Sequence, residues 1–215
     1  MKFIIIVTAF FLAACGTTTS QGEISDATSY KDKDLSGYET AYFASGCFWC
    51  VEAVYESVEG VAESISGYAG GHTEYPTYAS SNTGTTGHAE AVEIYYDPEV
   101  VSFETLVKVY YASQDPTQVN GQGPDRGSQY RSILFYKNEE EKQIIERYMT
   151  EVAKEYDKPL ATEVQEFKKF WIGEDYHQDF ERLHPNQRYI RAVSIPRLKR
   201  FQKKHPELLK KAESH

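Results

Sequence analysis

The sequence predicts an α+β fold: a ferredoxin-like two-layer sandwich with helices on a mixed β-sheet, in the split βαβ order. Three observations lead there. The apolar pattern changes period in the order strand, helix, strand, strand, helix, strand. Polar residues suited to helix capping, Ser102 and Asn138, stand just before the second and third helical stretches. Glycine or proline punctuates the strand ends, at Gly46, at Gly70-Gly71 and at Asp97-Pro98.

Taken in order, residues 41–45 are a short apolar run that reads as a buried strand. Residues 48–58 follow as a helix with Val51, Val54, Tyr55 and Val58 on one face. Residues 61–68 alternate as a strand, and a polar loop extends from His72 to Gly87. Residues 89–96 alternate again, which sets Glu90, Val92, Ile94 and Tyr96 on one face and Ala89, Ala91, Glu93 and Tyr95 on the other. Ser102 opens a helix reaching about Ala112, and a Gly/Gln/Pro-rich loop runs from Gln114 to Gln129. Residues 132–136 form a strand, 139–156 a charged helix, and 162–164 an edge strand. No internal repeat is present.

The chain has 215 residues. Lys2 and an apolar stretch over residues 3–14 have the layout of a secretory signal, and the stretch is too short for an ordinary membrane-spanning helix. Leu12-Ala13-Ala14-Cys15-Gly16 resembles a bacterial lipobox, which implies cleavage before Cys15 and lipid attachment to it. The expected organisation is a signal peptide over 1–14, a lipidated flexible tether over 15–39, a catalytic domain over 40–196 and a basic C-terminal tail over 197–215. The tail reads as a solvated amphipathic helix. This places the mature protein in a bacterial cell envelope, outside the cytoplasm and anchored to a membrane by lipid. A formal net charge of −9 disfavours nucleic acid as a partner. There is no glycine-rich phosphate loop, and a monomer is expected.

With Cys15 lipidated, two of the three cysteines remain, in Cys47-Phe48-Trp49-Cys50. This C-x-x-C follows a strand and opens a helix. The first thiol therefore lies at a helix N-terminus, where unpaired N–H groups and the helix dipole favour a thiolate. The second lies one turn on, within reach for a disulfide. Redox or nucleophile chemistry is the expectation. A structural disulfide, or a zinc site completed by a histidine, is the alternative from these residues alone.

Other polar segments interrupt an otherwise apolar pattern: Gly87-His88-Ala89-Glu90, Tyr75-Pro76-Thr77-Tyr78, Gln122 to Ser132 with Gln129-Tyr130-Arg131-Ser132, and Glu174-Asp175-Tyr176-His177-Gln178-Asp179. In this order, with Gly46-Cys47-Phe48-Trp49, they resemble peptide methionine sulfoxide reductase of type A, which acts on the S epimer. The likeness runs from about residue 41 to 194. It implies that Cys47 is the nucleophile and Glu90 the proton donor, that Tyr78 and Tyr130 contact the sulfoxide oxygen, and that Asp125 lines the site. Phe48 and Trp49 would hold the substrate methyl group. It further implies no bound cofactor, oxidised proteins as substrates, and a thioredoxin-like dithiol as electron donor.

The residue types suit those roles. A thiolate attacks sulfur, a protonated carboxyl supplies a proton to oxygen, and phenols steady the developing charge. Attack leaves a sulfenic acid on Cys47. Many relatives carry a distal resolving cysteine in an Asn-Gly-Tyr-Cys-like context. The matching stretch here is Asn186-Gln187-Arg188-Tyr189-Ile190, without cysteine, so Cys50 is the internal candidate to resolve Cys47. His88 and His177 read as structural hydrogen-bonding residues. A membrane-tethered thioredoxin-like oxidoreductase and a peptide-binding surface lipoprotein are the competing classes.

Overall fold

The computed structural model describes residues 30–211. In chain order the elements are β1 (Glu39–Ser45), α1 (Phe48–Glu56), β2 (Val61–Ala69), the single turn α2 (Tyr78–Ser81), β3 (Ala89–Tyr96) and α3 (Phe103–Ala112). A small hairpin follows, β4 (Gly121–Gln122) and β5 (Asp125–Arg126), then β6 (Ser132–Tyr136), α4 (Glu139–Val152), β7 (Glu163–Glu166) and β8 (Phe170–Ile172). The chain ends in α5 (Phe180–Leu183), a π-helical turn over Ile190–Ser194, and α6 (Ile195–Lys204).

The main sheet has six strands in the order β7-β6-β1-β3-β2-β8. Its inner four, β6-β1-β3-β2, are antiparallel and have the strand order of the split βαβ fold. β7 adds in parallel to β6, with Leu134 opposite Val164, and β8 adds antiparallel to β2, with Tyr68 opposite Trp171. The mixed sheet, ferredoxin-like order and α+β class are as the sequence predicts. Both helix caps also form as read: Ser102 Oγ accepts from Thr105 N–H at 3.1 Å and Asn138 Oδ1 from Glu141 N–H at 2.9 Å.

Period-two alternation decides what β3 contributes to each face. Val92, Ile94 and Tyr96 enter the main core with Phe43, Val54, Tyr55, Leu106 and Tyr110, under the helices. Phe43 and Tyr110 meet edge to face with centroids 5.8 Å apart. The opposite face is covered too. Tyr42, Ala44, Ala69, Ala91, Ile133 and Phe135 form a second, smaller core closed by Phe167, whose ring stacks on Tyr42 at 3.6 Å. The inner strands are therefore buried on both faces.

Two expectations about the chain's ends are corrected. The segment expected to be a free tether up to residue 39 already lies on the domain from Tyr30. Lys31 pairs with Asp175 at 2.6 Å, and Lys33 reaches the buried Glu63. Residues 1–29, with Cys15 and the signal, lie outside the described residues. The tail after 196 is not a solvated helix. Arg197 is buried, its guanidinium donating to Ser113 O at 2.7 Å and to Ser45 O at 2.9 Å, and Phe201 is 1% exposed in the main core. Beyond α6, Val58 and Leu209 form a bridge, and Lys210 N–H donates to Ser57 O at 2.9 Å. One of the charged residues expected to make this segment soluble, Arg197, instead anchors it through carbonyls that sequence cannot place. Phe201→Ala is expected to lower stability by about 3–5 kcal/mol, the usual cost of emptying a buried aromatic site. Urea denaturation of the full chain measures it. A loss below about 1 kcal/mol would return the tail to the surface.

Candidate active site

Cys47 is the N-cap of α1, and its carbonyl accepts from Cys50 N–H at 3.1 Å and Val51 N–H at 3.3 Å. The sharp change of direction from β1 into α1 is made by Gly46 at φ +91°, in the left-handed region. A Cβ there would lie 2.6 Å from Gln122 Cβ, so the turn needs glycine for space as well as for φ. The two sulfurs are on successive turns and both thiols are free, with Cys47 6% and Cys50 2% exposed.

Glu90 lies on the helix-facing side of β3, one pleat before Val92. Its Oε2 accepts from Phe48 N–H at 3.0 Å, at the start of α1 and one residue from Cys47. Burial to 2% exposure pushes its carboxyl up to about 8, partly offset by that N–H bond and reinforced by the negative charge of Asp125. The carboxyl is thus protonated at neutral pH.

Tyr78 opens α2, which Thr77 and Ser80 close with a reciprocal capping pair. Its backbone N–H donates to Glu174 Oε1 at 2.9 Å, while Tyr68 O–H donates to Glu174 Oε2 at 2.8 Å. Tyr130 ends the 3₁₀ turn Ser128–Tyr130 that leads into β6. Burial raises the Tyr130 phenol first, and the proximity of the ionisable groups Glu90, Tyr78, Cys47 and Asp125 adds to that. All four groups lie near enough to act on that phenol, so the structure brings Cys47, Tyr78, Glu90, Asp125 and Tyr130 together from five separate segments. The Tyr78 phenol is raised by burial first, then by Glu90. Both phenols stay protonated and can donate hydrogen bonds.

Phe48 and Trp49 form the aromatic wall. Phe48 contacts Tyr68 at 5.8 Å, stacks on Tyr78 at 6.3 Å and meets His177 at 4.8 Å. Trp49 stacks on Phe180 at 3.8 Å and donates its indole N–H to His177 Nδ1 at 3.1 Å. Burial lowers His177 to about 4, so the ring is neutral with its proton on Nε2. The expected hydrogen-bonding role of His177 is met, but inside the aromatic wall, where it fixes the indole.

Sequence reasoning missed three residues. Glu174 ties two tyrosines together, as described above. Tyr189 donates to Asp125 Oδ2 at 2.6 Å and stands 3.7 Å from Cys50 Sγ. Arg197 adds its positive charge beside Cys50. Glu174 sits in the quoted acidic motif and Tyr189 in the stretch noted for its missing cysteine, so both were visible as positions but not as contacts. Nothing local marks Arg197.

The charge in the cysteine pair falls differently from the expectation for a helix N-terminus. Burial pushes the Cys47 thiol well up, and its hydrogen bond to Cys50 and the proximity of Glu90 add to that. Cys50 is drawn down to about 7, first by the hydrogen bond from Cys47 and then, against burial, by Arg197. The two thiols titrate as a pair, with the tendency to ionise shifted toward the second cysteine. Among the described residues no group of three or more His, Cys, Asp or Glu could hold a metal ion, and no helix is long and apolar enough to cross a membrane.

A buried acid beside a helix-capping thiol, two phenol donors and an aromatic wall suit reduction of an S–O bond. Comparison with known proteins agrees. The family model described as peptide methionine sulfoxide reductase matches residues 39–209, past the end expected at 196. The chain is 42% identical to peptide methionine sulfoxide reductase MsrA 1 of Rhodopirellula baltica over 86% of its own length and 96% of the relative's. It is 44% identical to MsrA of Thermus thermophilus over 80% of its length and 98% of the relative's. Among solved structures, methionine sulfoxide reductase A of Corynebacterium diphtheriae superposes with a TM-score of 0.63 at 34% identity, covering 70% of this chain and 77% of that one. Reduced Mxr1 from Saccharomyces cerevisiae gives 0.66 at 28% identity, over 72% and 90%. The chain therefore belongs to the peptide methionine sulfoxide reductase family and is an oxidoreductase of the peptide-methionine (S)-S-oxide class.

Proposed function

We propose that this enzyme reduces methionine-S-sulfoxide, in proteins and as the free amino acid, by the following route. Cys47 transfers its proton to Cys50 or to solvent and attacks the sulfoxide sulfur. Glu90 gives its proton to the sulfoxide oxygen, while Tyr78 and Tyr130 hold that oxygen as charge grows on it. Phe48 and Trp49 take the methyl group. The oxygen passes to Cys47 as a sulfenic acid, and methionine leaves. The Cys50 thiolate then attacks the sulfenic sulfur, water departs, and a Cys47–Cys50 disulfide forms. A thioredoxin-like dithiol returns two electrons and two protons. Oxidised proteins at the envelope are the natural substrates.

The observation that carries this reading is Glu90: a carboxyl buried in the main core, raised to about 8, and hydrogen-bonded to the residue beside Cys47. A surface or purely structural glutamate would need no such place. The test is to incubate the full chain with dithiothreitol and a peptide carrying one resolved epimer of methionine sulfoxide. A mass loss of about 16 Da, one oxygen, is expected from the S epimer alone. Equal loss from both epimers, or none, would overturn the assignment.

The lipid anchor is a separate proposal, resting on Leu12-Ala13-Ala14-Cys15. Cys15→Ala should abolish labelling by a palmitate analogue and leave activity with dithiothreitol unchanged. A wild-type chain that is unlabelled and wholly soluble after fractionation would remove the anchor and leave the catalytic reading standing.

A further inference from the structure

A cavity of about 680 Å³ lies beside the site, and its lining does not include Cys47, Phe48, Trp49, Tyr78, Glu90 or Tyr130. It opens on Cys50 instead, between the end of α3, the β4–β5 hairpin and α6. Its wall includes Asp115, Asp125, Arg197, Arg200 and Lys204. Its volume is within the roughly 300–1,000 Å³ typical of small-molecule sites.

The charges on that wall are unequally engaged. Asp115 accepts from Thr117 and Gln118, and Asp125 accepts from Tyr189. Arg197 is committed to Ser45 and Ser113. Arg200 and Lys204, one helical turn apart on α6, are exposed and make no hydrogen bond or ion pair among the described residues. They give the mouth two uncommitted positive charges.

We infer that this cavity is the entrance for an anionic low-molecular-weight thiol, one carrying carboxylates, which reduces the enzyme by attacking Cys50. The inference rests on the proposed resolving role of Cys50. Thiol–disulfide exchange depends on which sulfur the incoming thiolate can reach. The cavity touches Cys50 and not Cys47, so an entering thiolate meets Cys50 with Cys47 as the departing sulfur. The chemistry balances. The thiolate RS⁻ forms a bond to Cys50 Sγ, the Cys47–Cys50 bond breaks, and Cys47 leaves as a thiolate. A second thiolate then attacks the R sulfur, RSSR departs, and Cys50 is returned as a thiolate. Two thiols are oxidised, the disulfide is reduced, and their two protons pass to the cysteine pair. At 2% exposure Cys50 has little direct access to solvent, and the cavity gives a small thiol a way in beside the route used by the thioredoxin-like dithiol.

The reverse of the second step, attack of the Cys50 thiolate on RSSR, tests the entrance without turnover. The full-length Cys47→Ser chain is incubated with oxidised glutathione, which is rich in carboxylates, and separately with cystamine, which is cationic. Modification of Cys50 is read by peptide mass mapping. We expect the glutathione adduct to form about tenfold faster, as two exposed cations at short range would give. Arg200→Glu with Lys204→Glu should invert the preference, and continued reaction with cystamine reports that the site is intact. Cys50 left unmodified by oxidised glutathione, or a preference that survives the charge reversal, would overturn the inference. In parallel, the wild-type chain is given one equivalent of sulfoxide peptide. Absence of a Cys47–Cys50 disulfide would remove the resolving role and the cavity's reductant role with it. A disulfide without any anion preference would remove the cavity's role alone.

Discussion

Cys47→Ser is expected to stop sulfoxide reduction, lowering turnover by more than about 10⁴-fold, as removal of a covalent nucleophile does. The serine hydroxyl at the head of α1 is neither soft enough for sulfur nor ionised at neutral pH. Cys50→Ser is expected to behave differently. It should release one equivalent of methionine per chain and then stall, because no thiol remains beside the Cys47 sulfenic acid. Dimedone should trap that species, and a quenched-flow burst of one equivalent measures it. The two variants also test the coupled titration of the pair. With serine at position 50, Cys47 loses the neighbouring ionisable thiol that raises it, while burial and Glu90 remain against its ionisation. The pH profile of the single turnover should shift accordingly. Wild-type steady-state turnover in Cys50→Ser with a thioredoxin-type donor would refute the resolving role.

Glu90→Gln should slow the sulfoxide step by about 10²–10⁴-fold, the range for a positioned acid, with far less effect on substrate affinity. Glutamine keeps the size and can still accept from Phe48 N–H, so a loss in turnover isolates the proton. In the wild type, the donor form is lost as pH rises through about 8, so the rate of sulfoxide reduction should fall on that limb. The same shift has a sign for stability. The folded carboxyl is raised above its unfolded value near 4.5, so its contribution is fully present below that value. It is lost progressively as pH rises to about 8, because the folded site must then hold a buried charge. Glu90→Gln escapes that loss and should be more stable than wild type above pH 8. Denaturant midpoints at several pH values measure this, and a variant that is slower but no more stable at high pH would argue against a buried acid.

How much of this was legible in the sequence follows from the range of the forces involved. Elements set by local periodicity and local caps, such as β3 and α3, are readable because the signal sits within a few residues of the result. β8 is three residues long, too short to show alternation, and exists only because β2 offers it an edge. α6 reads as a charged surface helix because the carbonyls that hold Arg197 belong to Ser45 and Ser113. The site divides in the same way. Cys47, Glu90, Tyr78 and Tyr130 could be named from ordered motifs, and the structure gathers them. The lowering of the Cys50 thiol could not be read, because beside its hydrogen bond with Cys47 it draws on Arg197, Ser194 and Tyr189, which join the site from the far end of the chain.

The seam that fastens the last strand-like residues to the end of α1 also sets a clock. Lys211 N–H reaches Glu59 across 152 positions, alongside the Val58–Leu209 bridge. A ribosome adding about 5–20 residues per second needs roughly 8–30 s to travel between them. During that interval the cysteine-bearing helix has been made but the segment carrying Arg197 and Phe201, which buries its neighbourhood, has not. Until the seam closes, the end of that helix lacks its last backbone partners, and the domain is complete only when the final described residues have joined it.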